Sequence, residues 1–379
     1  MAQSPISWLH FLMFRLDRFH NARTAIWRFV TFAVLLTSLL TLDTMADTEP
    51  QLTTIAFGSC ADDEFPNHPI WTAIAETRPD AMIFMGDNVY LDKVEVLASG
   101  TTKGFEPDYQ RLANSDGFKR LREVTEFHAT WDDNDYGAND GGREFELRET
   151  SQQAFFNFWG VDPESDRYKT PGVYGTGWIE SDQGKIQIIL TDSRYFRSAI
   201  EVGPPTVKCP FKNIVPTDDP EATMLGKEQW RWLEDRLTVD ADLHILVSGI
   251  QVVANEHCFE RWGAMPSERQ RLLKAIDNAS GPTIILSGDR HLGEISRLSA
   301  QDSGLGHDIY DTTSSSLSSS SGFGEGEPNS LRVGDNVRVN NFGLAKVDLA
   351  NSEVAIELRD QKGTVLRSVT IQLGEEPNL

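Results

Sequence analysis

Ile83-Phe84-Met85-Gly86-Asp87-Asn88-Val89-Tyr90 is the segment on which the fold turns. A short apolar run stops at glycine, and a carboxylate, an amide and a phenol follow at once. Such a run, bounded by a turn residue, reads as a buried strand. The device recurs along the chain. Residues 55–57 end in Gly58-Ser59-Cys60, and 127–130 end in Trp131-Asp132-Asp133-Asn134-Asp135-Tyr136. Residues 245–247 end in Ser248-Gly249-Ile250-Gln251, and 284–286 in Ser287-Gly288-Asp289-Arg290-His291. In open α/β sheets, ligands bind outside the carboxyl ends of the strands. One strand followed by Gly-Asp is common; five strand ends loaded with small and polar residues predict a single shared site.

Outward from these runs, strands are expected at 53–57, 81–85, 126–130, 185–190, 244–247, 283–286, 342–347 and 354–358. Amphipathic segments at 69–77, 107–124, 143–159, 227–237 and 266–277 alternate with them as helices. The helix at 227–237 places Trp230, Leu233 and Leu237 at helical spacing. This alternation predicts an α/β sandwich in one domain, giving way to strands after about residue 296. The serine-rich run 312–321 reads either as a flexible linker or as a loop packed over the site, and composition leaves both open.

The chain has 379 residues and a net charge of −22. That balance disfavours nucleic acid and anionic lipid as partners. Its anionic field would have to be reversed locally for an anionic substrate, for which a metal cluster is the obvious means. Arg15, Arg18, Arg23 and Arg28 precede the apolar run 29–42 and the small residues around Ala46, the pattern of a secretory signal. The expected organisation is a signal over 1–46 and one domain over 47–379, with a periplasmic or secreted product. An uncleaved anchor is the alternative. Disulfides persist outside the cytosol. Of three cysteines, Cys209 and Cys258 stand in loop-like text and are the expected pair, whereas Cys60 ends an apolar run and is left free.

Carboxylates, an amide and a phenol are hard oxygen donors suited to Ca²⁺, Mg²⁺, Mn²⁺ or Fe³⁺. No His-x-His or His-Glu-x-x-His spacing points to zinc. Two cations sharing a carboxylate would clamp a phosphoryl group.

Gly86-Asp87-Asn88-Val89-Tyr90 resembles the signature of calcineurin-like metallophosphoesterases. Together with Gly58-Ser59-Cys60, Trp131–Gly137, Asp192–Arg197 and Ser287–His291, it resembles the PhoD-type alkaline phosphatase and phosphodiesterase family from about residue 54 to 347. The resemblance implies a four-layer αββα sandwich, a Fe³⁺ and Ca²⁺ site, and hydrolysis of small-molecule phosphate monoesters or diesters by a metal-activated hydroxide. It implies that Asp87 bridges the metals, with Tyr90, Cys60 and Asp289 on iron. Asp133 would serve the second metal with Asp132 and Asn88 in support, and Arg290 and His291 would meet the phosphate or the second metal. Where many relatives carry histidine as general acid, this chain has Asn134, which cannot supply a proton.

Blander readings compete residue by residue. Asp87 and Asp289 would also suit helix caps, Tyr90 a packing aromatic, His291 a core histidine and Cys60 an inert buried thiol. The Asp132–Asp135 turn would also suit a Ca²⁺ loop without catalysis. Phosphodiesterase activity as the main activity, phospholipase-D-like cleavage included, and a non-catalytic Ca²⁺-binding role are the functional rivals. A serine hydrolase is disfavoured, since no Gly-x-Ser-x-Gly elbow occurs.

Overall fold

Strict alternation along the central strands builds the core. In β1 (Thr53–Gly58), Ile55 and Phe57 point to one side and Ala56 to the other. In β2 (Ala81–Met85), Ala81, Ile83 and Met85 share the inner side, with Met82 and Phe84 opposite. The computed structural model describes residues 52–62, 67–320 and 327–374. The signal expected over residues 1–46 lies outside the described residues.

The remaining strands are β3 (Glu126–Thr130), β4 (Gly175–Ser181), β5 (Gly184–Leu190), β6 (Glu201–Val202), β7 (Ile214–Val215) and β8 (Leu243–Ser248). They continue as β9 (Thr283–Ser287), β10 (Gly293–Leu298), β11 (Ile309–Ser314), β12 (Asn341–Asp348), β13 (Glu353–Asp360) and β14 (Val365–Gln372). Two six-stranded sheets result, ordered β14-β13-β12-β1-β2-β3 and β10-β11-β9-β8-β5-β4, and β6 pairs with β7. β1, β2 and β3 run parallel, as do β11, β9, β8 and β5.

The two inner faces meet in one apolar layer, where Ile55, Phe57 and Ile83 join Ile188, Ile245, Leu286 and Ile356. Helices Ile70–Glu76, Thr102–Asn114, Asp116–Val124 and Arg148–Trp159 cover the outer face of the first sheet through Trp71, Phe105, Phe118 and Phe155. Helices Gly226–Leu237 and Pro266–Asp277 cover the second sheet with Trp230, Leu233, Leu272 and Ile276. Burying each such side chain contributes about 1.5–3 kcal/mol. The four layers are the expected αββα sandwich.

The local reading needs three corrections. Residues 107–124 do not form one helix. Ser115 is extended (φ −66°, ψ 135°), and its hydroxyl accepts from the Phe118 amide at 3.1 Å, so a serine cap starts a second helix. The strands β4, β10 and β14 lie at or near sheet edges, where Gly-, Thr- and charge-containing text hides their period. One short helical turn, Ala300–Ser303, follows residue 296. The expected disulfide forms between Cys209 and Cys258, with Cα atoms 5.5 Å apart, and Cys60 is free. Among the described residues, no helix is long and apolar enough to cross a membrane.

Candidate active site

The carboxyl ends of β1, β2, β3, β8 and β9 converge, and their loops carry the residues singled out from the sequence. Close approach of these loops requires glycine. A side chain at Gly86 (φ +103°) would put its Cβ 2.4 Å from Asp132 Cβ, and one at Gly249 would meet Asp132 Oδ1 at 2.3 Å. Four residues of the cluster, Cys60, Asp87, Asp289 and His291, adopt φ of 58°, 49°, 72° and 50°. Left-handed backbone costs roughly 1–2 kcal/mol at a non-glycine residue. Its recurrence at these loop residues is strain of the kind that surrounding structure sustains at functional sites.

Three groups of ligating atoms form among the described residues, each with its members within 4.8 Å of one another: Cys60, Asp87 and His291; Asp87, Asp132, Asp133 and Asp289; and Asp133, Asp140 and Glu260. Asp87 belongs to the first two and Asp133 to the last two. The Cys60 thiol donates to Asp87 Oδ2 at 3.4 Å, and Ser315 Oγ lies 3.0 Å from its sulfur. Burial pushes the Cys60 thiol up to about 12. Burial likewise raises Asp87 well above the ordinary carboxylate range, and neighbouring Cys60 and Asp133 add to it. Asp289 is pushed up to about 6 by burial, against the opposing pull of Arg290. Tyr90 is raised by burial too, and its hydroxyl sits 3.5 Å from His291 Nε2. Four acids crowded this closely, three of them buried, carry more negative charge than Arg194 and Arg290 alone balance.

Asn134 donates its backbone N–H to Asp87 Oδ1 and its amide to Asp133 Oδ1, both at 3.1 Å. Its side chain is committed to orienting a carboxylate. Asn88 donates to the Thr130 carbonyl at 2.9 Å and to Asp135. Asn88 Oδ1 and Asp132 Oδ2 are buried oxygens without a hydrogen bond from any described residue, and Asp289 Oδ2 meets only the Arg290 guanidinium, at 3.6 Å. Such orphans are rare unless an ion or water meets them. Together with the donor set, they fit a site for hard cations.

Arg290 is held by Glu327 and stacks over Phe259, 3.8 Å from the ring centroid. His291 Nδ1 lies 3.2 Å from Ser319 Oγ, and its backbone N–H donates to Ser315 Oγ at 3.1 Å. Of the serine run, residues 312–314 finish β11 and 315–320 form a loop packed over the site, so the linker reading falls. A cavity of about 270 Å³ opens over these groups, lined by Asp133, Asn134, Asp289, Arg290 and His291 together with Lys212 and Phe259.

Supporting residues escaped the sequence reading. Asp135 is fully buried and accepts from the backbone N–H of Asp87, Asn88 and Asp132 at 3.2, 3.3 and 2.6 Å, tying two loops together. Arg194, also fully buried, donates from Nε to Asp132 Oδ1 at 2.7 Å and pairs with Glu260 at 2.6 Å. Arg197 pairs with Glu260 from the other side. Burial pushes Glu260 up, but the two guanidiniums outweigh it and hold the acid at about 2. The Asp192–Arg197 segment was the available signal, without a role attached.

An αββα sandwich with a carboxylate-rich cluster at the strand ends suits a phosphoesterase. The PhoD-like phosphatase family model matches residues 55–366, so the chain belongs to that family and is a hydrolase acting on phosphate esters. The solved structure of PhoD superposes with a TM-score of 0.62 at 16% identity, covering 85% of this chain and 72% of that one. A 5′-nucleotidase precursor from Thermus thermophilus matches at a TM-score of 0.35 and 11% identity, over 84% of this chain and 54% of its own. No curated protein matches by sequence.

Proposed function

We propose that this chain is an exported, metal-dependent hydrolase of phosphate monoesters or diesters, with Fe³⁺ and Ca²⁺ as its metals. The observation that carries the reading is Asp87, shared between two of the ligand groups and flanked by Asn88 Oδ1 and Asp132 Oδ2, buried oxygens that lack hydrogen bonds. Cys60, Tyr90 and Asp289 would complete the iron shell with Asp87. Asp133 would hold the second metal, with Asp132 and Asn88 in support. When bound, such a pair supplies an activated water and neutralises charge on the phosphoryl oxygens.

The chain's own residues do the rest. Arg290, held between Glu327 and Phe259, presents a rigid fork to the phosphate. His291 is kept in place from Nδ1 by Ser319, and burial lowers its pKa, so near neutral pH its imidazole is uncharged and able to accept a proton. Water adds to phosphorus as the ester P–O bond breaks, and the departing oxygen must gain a proton. Asn134 cannot give one, and its amide is spent on Asp133. Esters whose alcohol is already acidic are therefore favoured. The Cys209–Cys258 disulfide supports export. Turnover of p-nitrophenyl phosphate and bis-p-nitrophenyl phosphate, before and after chelation, tests the reading. Metal-dependent release of nitrophenol from at least one ester is expected, and turnover of neither would overturn it.

A further inference from the structure

One wall of the catalytic cavity is made by Lys212 and Phe259, from segments distant in sequence that the Cys209–Cys258 disulfide joins. Lys212 follows one half-cystine closely, and Phe259 directly follows the other. Backbone bonds back the clasp: the Ile214 N–H donates to the Cys258 carbonyl at 2.9 Å, and the Thr206 N–H to the Cys209 carbonyl at 3.0 Å. The Arg261 guanidinium bridges the two segments, donating to the carbonyls of Ile214 at 3.3 Å and Phe259 at 2.7 Å. The wall is thus fixed by covalent and polar ties.

Phe259 forms the shelf on which Arg290 lies. Lys212 has about 25% of its side chain exposed and pairs with Asp140, whose own backbone N–H donates to Asp133 Oδ2 at 2.8 Å. This places the ammonium beside the carboxylate cluster, and its field acts on Asp133 against the upward push of burial. An ammonium has three donors, and Asp140 needs only part of that capacity. On a chain of net charge −22, a cation built into the cavity wall is what an anionic substrate needs.

We infer that Lys212 is a substrate-binding residue that meets phosphate oxygens beside Arg290, that the Cys209–Cys258 clasp holds it there, and that it favours dianionic phosphomonoesters over monoanionic diesters. The inference rests on the phosphate-ester reading of the site. A charge-assisted contact of ordinary strength corresponds to roughly tenfold in affinity for the dianion. Coulomb attraction scales with substrate charge, so the monoanion should lose only about threefold.

The test compares the parent chain with Lys212→Met, Lys212→Arg and, as a control for lost positive charge, the exposed Lys208→Met. The expected result is a KM for p-nitrophenyl phosphate raised about tenfold in Lys212→Met, a KM for bis-p-nitrophenyl phosphate raised about threefold, and kcat within about threefold. Lys212→Arg should recover most of the loss, and Lys208→Met should match the parent. Calorimetric binding of inorganic phosphate gives a readout independent of turnover, and Lys212→Met should bind about tenfold more weakly. Unchanged KM and phosphate affinity in Lys212→Met would overturn the inference, as would an equal loss in Lys208→Met. A parent that binds phosphate through Lys212 yet turns over neither ester would sustain the inference and overturn the hydrolytic reading.

Discussion

Replacing Arg194 with methionine keeps much of the buried volume and deletes one charge from a closed network of Arg194, Arg197, Asp132 and Glu260. Glu260 keeps Arg197 as partner, but Asp132 loses the guanidinium that contacts its Oδ1 from two nitrogens at 2.7 Å. Asp132 Oδ2 has no hydrogen bond to share the load. Removing one partner of a buried ion pair costs about 3–5 kcal/mol. With a urea dependence near 3 kcal/mol per M for a chain of this size, the midpoint should fall by about 1–1.7 M. The assay is urea unfolding followed by tryptophan fluorescence, comparing the parent, Arg194→Met and Arg194→Met with Asp132→Asn. The double variant removes the stranded charge and should regain part of the loss. A midpoint shift below about 0.3 M in Arg194→Met would refute the idea that this network holds the cluster together.

Other outcomes follow from the same structure. Asn134→His restores a proton donor beside the leaving group and should raise turnover of simple alkyl phosphates at least tenfold more than that of p-nitrophenyl phosphate, read from the ratio of the two kcat values. Replacing Cys209 and Cys258 with serine opens a loop of sequence separation 49 and should lower stability by about 4 kcal/mol, measured by denaturant unfolding. Asp289 and Asp135 are pushed up to about 6 and about 7 by burial, above their ordinary 3.8. The folded, metal-free chain therefore binds more protons than the unfolded chain between about pH 4 and 7, and stability is lost as pH rises through that window. A metal-free sample should unfold more easily at pH 8 than at pH 5, and added cations should close the gap.

Several central strands were legible because the apolar run is short and ends in glycine or serine, as at Phe57-Gly58, Met85-Gly86 and Leu286-Ser287. The αββα arrangement itself came from family resemblance. What stayed hidden depended on partners far away in sequence or on backbone shape. Nothing in the text marks Cys60, Asp87, Asp289 and His291 as left-handed. Their φ values follow from the convergence of strand ends. Ser115 carries a cap signal that the longer amphipathic pattern of 107–124 masked. Composition described 312–321 as a linker no less than as a loop, because a serine buried against Cys60 reads like a solvated one. Lys212 and Phe259 reach the cavity only through the disulfide and the neighbouring strand pair, which no local pattern announces.

The central claim, that these loops build one metal site for phosphate ester hydrolysis, is tested most directly by elemental analysis of the purified protein paired with its turnover, before and after Asp87→Ala. The account predicts bound iron and calcium in the parent, and loss of both metal and turnover in the variant. A parent without metal, or an Asp87→Ala variant that keeps its metals and its rate, would contradict it.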